Sequence, residues 1–313
     1  MIMPPLVSII IPIYNRTDYI CEAIDSVICQ TFKDFEIIVV DDGSLTNVSG
    51  FLKPYIKQVK YIYQNNKGLA SARNTGIKNS QGRYIAFLDD DDLFEPCKLE
   101  TQVPLLEDNP DIGFVYSDCY EFQQTRNNQK ELNFAVGRNK SSTEFAKLFF
   151  MCPNVRVPVV LVKKECFDTS GFFDEMLPQD EDGDMFLRIA LKWKVFFSDY
   201  PSARVRHHGN QMSLNCVSMY ESIIRSTEKI LAMHPEFKSE LGPLADRRMS
   251  ELYFELGKAC MEKFMMLKAL QSFRSSRIIS KEFINIKNIP ALFLSYILNI
   301  ARQVKHRLQR KYN

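Results

Sequence analysis

The sequence predicts an α/β fold: a mostly parallel sheet with helices on both faces, followed by a helical C-terminal region. Three observations predict it. Short β-branched runs (LVSIIIPI at 6–13, FEIIVV at 35–40, YIAFL at 84–88) carry almost no polar residues, as strands buried on both faces do. Stretches of helical spacing lie between them, which parallel pairing requires. After about residue 216 strand signals fade and helical periodicity takes over.

The run at 6–13 is the first strand. Residues 18–31 follow as a helix, with Ile20, Ala23, Ile24, Val27 and Ile28 on one side. The second strand, 35–40, stops at the turn Asp41-Asp42-Gly43-Ser44. Residues 59–63 suit a third strand, 69–79 a helix, 84–88 a fourth strand and 113–116 a fifth. Beyond 120 the pattern loosens. Residues 123–130 read as a polar loop, 153–162 as strand-like, and the acidic stretch 171–184 runs into a helix over 185–193. Residues 251–279 have the two-helix periodicity of a hairpin, with Leu256, Gly257, Ala259, Ala269 and Phe273 at contact positions. These signals divide the chain into a domain over 1–215 and a helical region over 216–313.

Composition narrows the function. With 313 residues, 45% apolar and 25% charged, the chain has room for a large core. A net charge of +2 supplies no field for nucleic acid. Cysteines at 21, 29, 97, 119, 152, 166, 216 and 260 include no C-x-x-C pair and read as free thiols of a reducing cytoplasm. The apolar N-terminus lacks a basic n-region and reads as a strand. The run 289–301 is too short to span a bilayer. The tail places Phe293, Leu294, Ile297, Ile300 and Val304 at helical spacing, among and before Arg302, Lys305, Arg307, Arg310 and Lys311. That pattern fits a helix lying on an anionic membrane surface, and equally a packed helix with a solvated basic end.

Residues 84–94, YIAFLDDDDLF, end a buried-type strand in four adjacent aspartates. Like charges repel, and desolvating them is costly without a cation or hydrogen bonds. A solvated acidic turn is the simplest reading. The turn at 41–44 falls at another strand's carboxyl end, the edge at which ligands bind in such sheets. Two acidic turns at one edge point to a site.

The stretches VSIIIPIYNR at 7–16, SVICQTFKDFEIIVVDDGS at 26–44 and NNKGLASARNTGIKNSQGRYIAFLDDDD at 65–92 resemble the family 2 inverting nucleotide-sugar glycosyltransferases, which have the GT-A fold. EDGDMFLR at 181–188 and RHHGNQMS at 206–213 match more weakly. The resemblance covers about the first 215 residues. It implies a sugar nucleotide, with a UDP-sugar as first choice, an acceptor hydroxyl on a glycan or lipid-linked sugar, and Mn²⁺ or Mg²⁺ as cofactor. Such ions take oxygen ligands and bind through one or two carboxylates plus substrate phosphates.

The resemblance implies these residue roles. Asp91 is the direct metal ligand, with His208 as a second metal or phosphate contact. Asp89 and Asp90 contact ribose or sugar. Asp42, with Asp41 beside it, accepts from a base N–H, while Pro12 and Tyr14 pack around base or ribose. Arg73 and Lys67 lie near the diphosphate. Asp182 is the general base, with Asp180, Glu181 and Asp184 its neighbours in an uncertain register. Each has a plainer alternative: turn chemistry for Asp41 and Asp42, a solvated helix face for Lys67 and Arg73, helix capping for Asp182, and a structural role for His208.

A sugar nucleotidyltransferase would need a glycine-rich loop after the first strand, where the chain reads PIYNRTDY. A nicotinamide dehydrogenase would need G-x-G-x-x-G there. A non-catalytic carbohydrate-binding scaffold fits less well, because the acids stand in full register. Donor sugar, acceptor, linkage and a homodimeric state stay open, as does docking at the inner face of the cytoplasmic membrane.

Overall fold

The computed structural model describes residues 4–123, 130–138, 140–208 and 215–280. Strands β1 (Val7–Ile13), β2 (Phe35–Asp41), β3 (Val59–Tyr63) and β4 (Tyr84–Phe87) form a parallel block in the order β3-β2-β1-β4. All seven residues of β1 are buried, which is why the run carries isoleucine on both faces. Helix α1 (Ile20–Ile28) buries Ile20, Ala23, Ile24 and Val27, the 3.6-residue stripe legible in sequence. Between β2 and β3 lies the short helix α2 (Val48–Phe51). Helix α3 (Leu69–Asn79) is pressed so close to β1 that a Cβ at Gly76 would sit 2.4 Å from Ile10 Cγ2.

The sheet continues as a mixed block. Strand β5 (Leu93–Phe94), helix α4 (Lys98–Glu107) and the long β6 (Ile112–Phe122) follow the aspartates, then β7 (Lys130–Asn133) on the edge of β6. Helix α5 (Ser142–Met151) opens with a capping box between Ser141 and Glu144. The stretch 153–162, expected as a strand, is instead a 3₁₀ turn at Val157–Val159. It then runs into β8 (Leu161–Lys163), because Pro158 removes a ladder donor. Helices α6 (Glu165–Ser170) and α7 (Glu181–Ala190) precede β9 (Lys194–Arg206). β8 is antiparallel to both β4 and β6, and β9 runs parallel to β6.

Among the described residues nine strands form one sheet flanked by helices, as expected. β9 is the element that the sequence reading misses. Its register to β6 jumps from Ser117↔Ser198 to Cys119↔Ala203, so residues 199–202, including Pro201, bulge out of the ladder and break the alternation. Helix α7 begins four residues before the expected 185, which places the acidic residues inside its first turn.

The first compact unit extends to Leu241, so α8 (Cys216–Met233) and α9 (Pro235–Leu241) fold with it, although the sequence assigns 216 onward to a separate region. The second unit contains the expected hairpin, α10 (Pro243–Glu262) and α11 (Met266–Ile279). There Gly257 admits the Phe273 ring, which a Cβ would meet at 2.5 Å, and Ser250 bonds Ser276. The basic tail lies outside the described residues. Among the described residues no helix is long and apolar enough to cross a membrane.

Candidate active site

Parallel register brings three strand ends to one edge. Ile13 pairs with Asp41, and Leu88 N donates to Ile10 O. Just past β1, Asn15 adopts φ 59° and laces the first two loops together. Its N–H donates to Ser44 Oγ at 2.8 Å, and its Oδ1 accepts from Leu45 N at 2.7 Å. The turn after β2 needs glycine, because Gly43 has φ 80° and a Cβ there would lie 2.6 Å from Asn66 N.

Asp41 and Asp42, expected near the nucleobase, are both buried here. Asp41 accepts from Ser44 N (2.9 Å) and the Tyr61 hydroxyl (2.7 Å). Asp42 accepts from Gln64 Nε2 (2.7 Å), Lys67 N (3.0 Å) and Gly68 N (2.8 Å). A carboxylate offers about four acceptor positions, so three of those on Asp42 shape the loop leading into α3. Pro12 is buried, Tyr14 is half exposed and the Lys67 side chain is exposed at the same edge.

The four aspartates are held individually. Asp89 accepts from Arg73 Nη2 at 2.7 Å. Asp90 is buried and accepts from Nε and Nη2 of Arg16. Asp91 Oδ2 lies 2.9 Å from Arg16 Nη1 and 2.8 Å from His208 Nε2. Asp92 accepts from Arg206 N at 2.9 Å. The Arg206 guanidinium donates to the Asp91 carbonyl and to Glu22, and sits over the Tyr19 and Phe122 rings. Burial outweighs these partners at Asp90, whose carboxyl is pushed up to about 7, and raises Asp92 with the help of Asp91 and Asp89. The cluster is thus paired with arginine side chains and backbone amides, and the solvated-turn reading does not describe it.

Among the described residues no group of three or more acids, histidines or cysteines stands ready to ligate a metal. Asp91 and His208 nonetheless fit one. Their oxygen and nitrogen lie 2.8 Å apart, and the Arg16 guanidinium packed beside both is a stand-in cation. Two protein ligands with open positions suit Mn²⁺ or Mg²⁺, which complete their shells with water and phosphate.

The other wall is the start of α7. Asp180 takes the left-handed conformation at φ 61° and leads into Glu181, Asp182 and Asp184. Glu181 is buried against Arg73, and Asp182 Oδ1 accepts from Gly183 N. Burial among like charges pushes Asp180 up to about 8, and burial against the pull of Arg73 leaves Glu181 at about 7. Asp184 is fully buried with Arg188 and Lys229, a structural ion pair. Arg73, expected near the diphosphate, is itself buried, with one Nη on Asp89 and the other on Glu181. The next residue, Asn74, exchanges hydrogen bonds with the Phe173 backbone, so α3 grips the α7 approach twice. The residues that sequence reasoning missed are Arg16 and Glu22; Arg206 stands in the matched RHHGNQMS segment, but its bonds to Asp91 and Glu22 were not foreseen. Arg16 closes the first matched motif, and its place three residues beyond the end of β1 was the available signal.

Comparisons with known proteins give the family and the fold. The family model for glycosyl transferase family 2 matches residues 8–164. A glycosyltransferase of Rickettsia prowazekii is 33% identical over 227 residues, covering 71% of each chain. One of Rickettsia felis is 36% identical over 205 residues, 65% of this chain. This chain spans only about a third of that relative's length. The fold matches S. aureus TarS in complex with UDP-GlcNAc, with a TM-score of 0.62 and 17% identity over 89% of this chain and 91% of that one. It also matches the Pyrobaculum calidifontis mannosyltransferase PcManGT in complex with GDP-Man and Mn²⁺, with a TM-score of 0.60 and 16% identity over 96% and 81%. The chain belongs to glycosyltransferase family 2 and has a GT-A fold.

Proposed function

We propose that the protein is a metal-dependent, inverting glycosyltransferase. It moves a hexose or N-acetylhexosamine from a nucleoside diphosphate, UDP first, to a hydroxyl of a glycan or lipid-linked sugar in bacterial surface polysaccharide synthesis. The observation that carries this reading is the Arg73 bridge. It ties Asp89, at the donor edge of the sheet, to Glu181, the residue beside the base candidate. Donor and acceptor chemistry thereby share one rigid frame.

Asp182 takes the proton of the acceptor hydroxyl as that oxygen attacks the anomeric carbon. Attack comes opposite the diphosphate, the bond from sugar to phosphate oxygen breaks, and the configuration inverts. Asp91 and His208 would hold Mn²⁺ or Mg²⁺, which when bound supplies positive charge to the departing diphosphate. Asp89 and Asp90 orient ribose and sugar. Asp42, Pro12 and Tyr14 line the base, with Asp41 shaping the turn behind them, and Lys67 reaches the phosphates. The UDP-GlcNAc held by TarS supports a UDP donor, and the GDP-Man and Mn²⁺ of PcManGT support the metal. The basic tail of the sequence supports a lipid-linked acceptor at the inner face of the cytoplasmic membrane.

A donor screen with Mn²⁺, reading released nucleoside diphosphate and the product anomer by NMR, tests this. The expected result is UDP-sugar turnover with inversion, abolished by EDTA and in Asp91→Ala. Turnover that survives both removes the metal from the reading, and a retained anomer removes Asp182 as base.

A further inference from the structure

We propose that Arg16 is a tethered cation that closes the Asp90–Asp91–His208 pocket to a divalent ion until the donor's phosphates draw the guanidinium away. This rests on the reading of Asp91 and His208 as metal ligands.

The geometry is compact. Arg16 Nη1 lies 2.9 Å from Asp91 Oδ2 and 3.1 Å from His208 Nε2, and those two atoms are 2.8 Å apart. Nε and Nη2 of the same guanidinium hold Asp90. An ion bound to both Asp91 and His208 would need the volume that the guanidinium fills, and the two cations would repel at that range.

The neighbouring cations are committed elsewhere. Arg73 joins Asp89 to Glu181, and Arg206 is fixed by the Asp91 carbonyl, Glu22 and two aromatic rings. Arg16 is therefore the guanidinium that Asp90 and Asp91 share, with His208 a further contact of Asp91. Its side chain is 28% exposed, whereas its backbone root is pinned by the Asn15 bonds to Ser44 and Leu45. Release needs only rotation of the side chain, with no movement of the loop.

A guanidinium displaced from two carboxylates seeks an anion, and it forks well onto phosphate. A diphosphate at this edge offers one. Metal and nucleotide then help each other: phosphate removes the competitor for the metal, and metal frees the arginine for phosphate. Coupling of this kind is reciprocal, so UDP raises Mn²⁺ affinity by the factor by which Mn²⁺ raises UDP affinity.

The test is Mn²⁺ binding to the full chain, read from the EPR signal of free aqueous Mn²⁺, with and without saturating UDP. Wild type is expected to bind Mn²⁺ weakly alone and about tenfold tighter with UDP. Arg16→Gln is expected to bind Mn²⁺ alone about tenfold tighter than wild type, with most of the UDP dependence gone. Equal Mn²⁺ affinity of the two proteins without UDP overturns the inference. If Arg16→Gln does not fold, Arg16→Lys decides. A single ammonium cannot span both carboxylates, so Mn²⁺ affinity without UDP must rise there too, and no rise overturns the inference. Asp91→Asn separates the two readings. If it leaves Mn²⁺ binding with UDP intact, the metal assignment falls and this inference with it. If it abolishes that binding while Arg16→Gln matches wild type, this inference alone falls.

Discussion

Arg73 and Glu181 form a buried ion pair between residues 108 positions apart in the chain. The guanidinium also reaches Asp89, lies 5.6 Å from the centre of the Phe173 ring, and leaves its Nε without a hydrogen-bond partner among the described residues. Removing one member of a buried pair strands the other charge, which costs about 3–5 kcal/mol. Arg73→Leu is therefore expected to lose that much stability in urea unfolding. It also loosens α7, lowering kcat more than it raises the donor KM. Were Arg73 a phosphate ligand, unfolding would be unchanged and the donor KM would carry the whole effect.

The same corner carries a pH dependence with a defined sign. Glu181 rises from 4.5 to about 7 in the folded protein, chiefly by burial, and Asp180 rises from 3.8 to about 8. Between each unfolded and folded value the native state holds the proton that the unfolded state has lost. Stability from these groups is therefore fully present below about pH 4 and declines as pH rises toward 7 and 8. Each group contributes a slope of about 1.4 kcal/mol per pH unit inside its own window. Urea midpoints measured from pH 4.5 to 8 should fall more steeply for wild type than for Glu181→Gln, which removes one titration. Parallel curves would remove the assignment.

Legibility of the fold followed burial symmetry. Strands β1, β2 and β4 are largely buried on both faces, so apolar runs marked them to within a residue or two. The half-exposed edge strand β3 was legible only from its β-branched and aromatic residues. β9 escaped because its bulge at 199–202 interrupts any period-2 pattern, and the pairing that stabilises it is to β6, far away in sequence. For the site, short motifs revealed which acids gather at the sheet edge. Their partners could not be read there. The bonds from Arg16 to Asp90 and Arg73 to Glu181 join separate motifs, that from Arg206 to Glu22 joins a motif to helix α1, and only the folded sheet decides which cation meets which carboxylate.

Asp42 illustrates how a ligand candidate can also be architecture. Its Oδ2 accepts from Gly68 N, and Oδ1 accepts from Lys67 N and Gln64. In Asp42→Asn an amide NH₂ at either position would face a backbone donor, an unmade hydrogen bond worth about 1–3 kcal/mol. The expected result is a stability loss of that size together with weaker UDP binding by calorimetry, since the Lys67–Gly68 turn opens. Weaker UDP binding at unchanged stability would mean that the carboxylate acts only on the ligand.

Two aspartates on one helix turn separate structure from chemistry. Asp184 is fully buried, with Arg188 Nε at 2.8 Å, Arg188 Nη2 at 2.7 Å and Lys229 Nζ at 2.5 Å. Neutralising it leaves the buried Arg188 without its carboxylate, while Lys229 keeps Asp174, so Asp184→Asn is expected to lose about 3–5 kcal/mol while its folded fraction keeps near-normal turnover. Asp182, two residues earlier and half buried, accepts from Gly183 N. Asp182→Asn is expected to fold normally, keep UDP affinity and lose about 10²- to 10⁴-fold in transfer, the range for a general base. Unfolding curves and turnover per folded molecule on the two variants decide the register. If Asp184→Asn is the inactive but stable one, the base sits one helical face away. If neither loses transfer, proton removal belongs to another residue, with Asp180 the next to substitute.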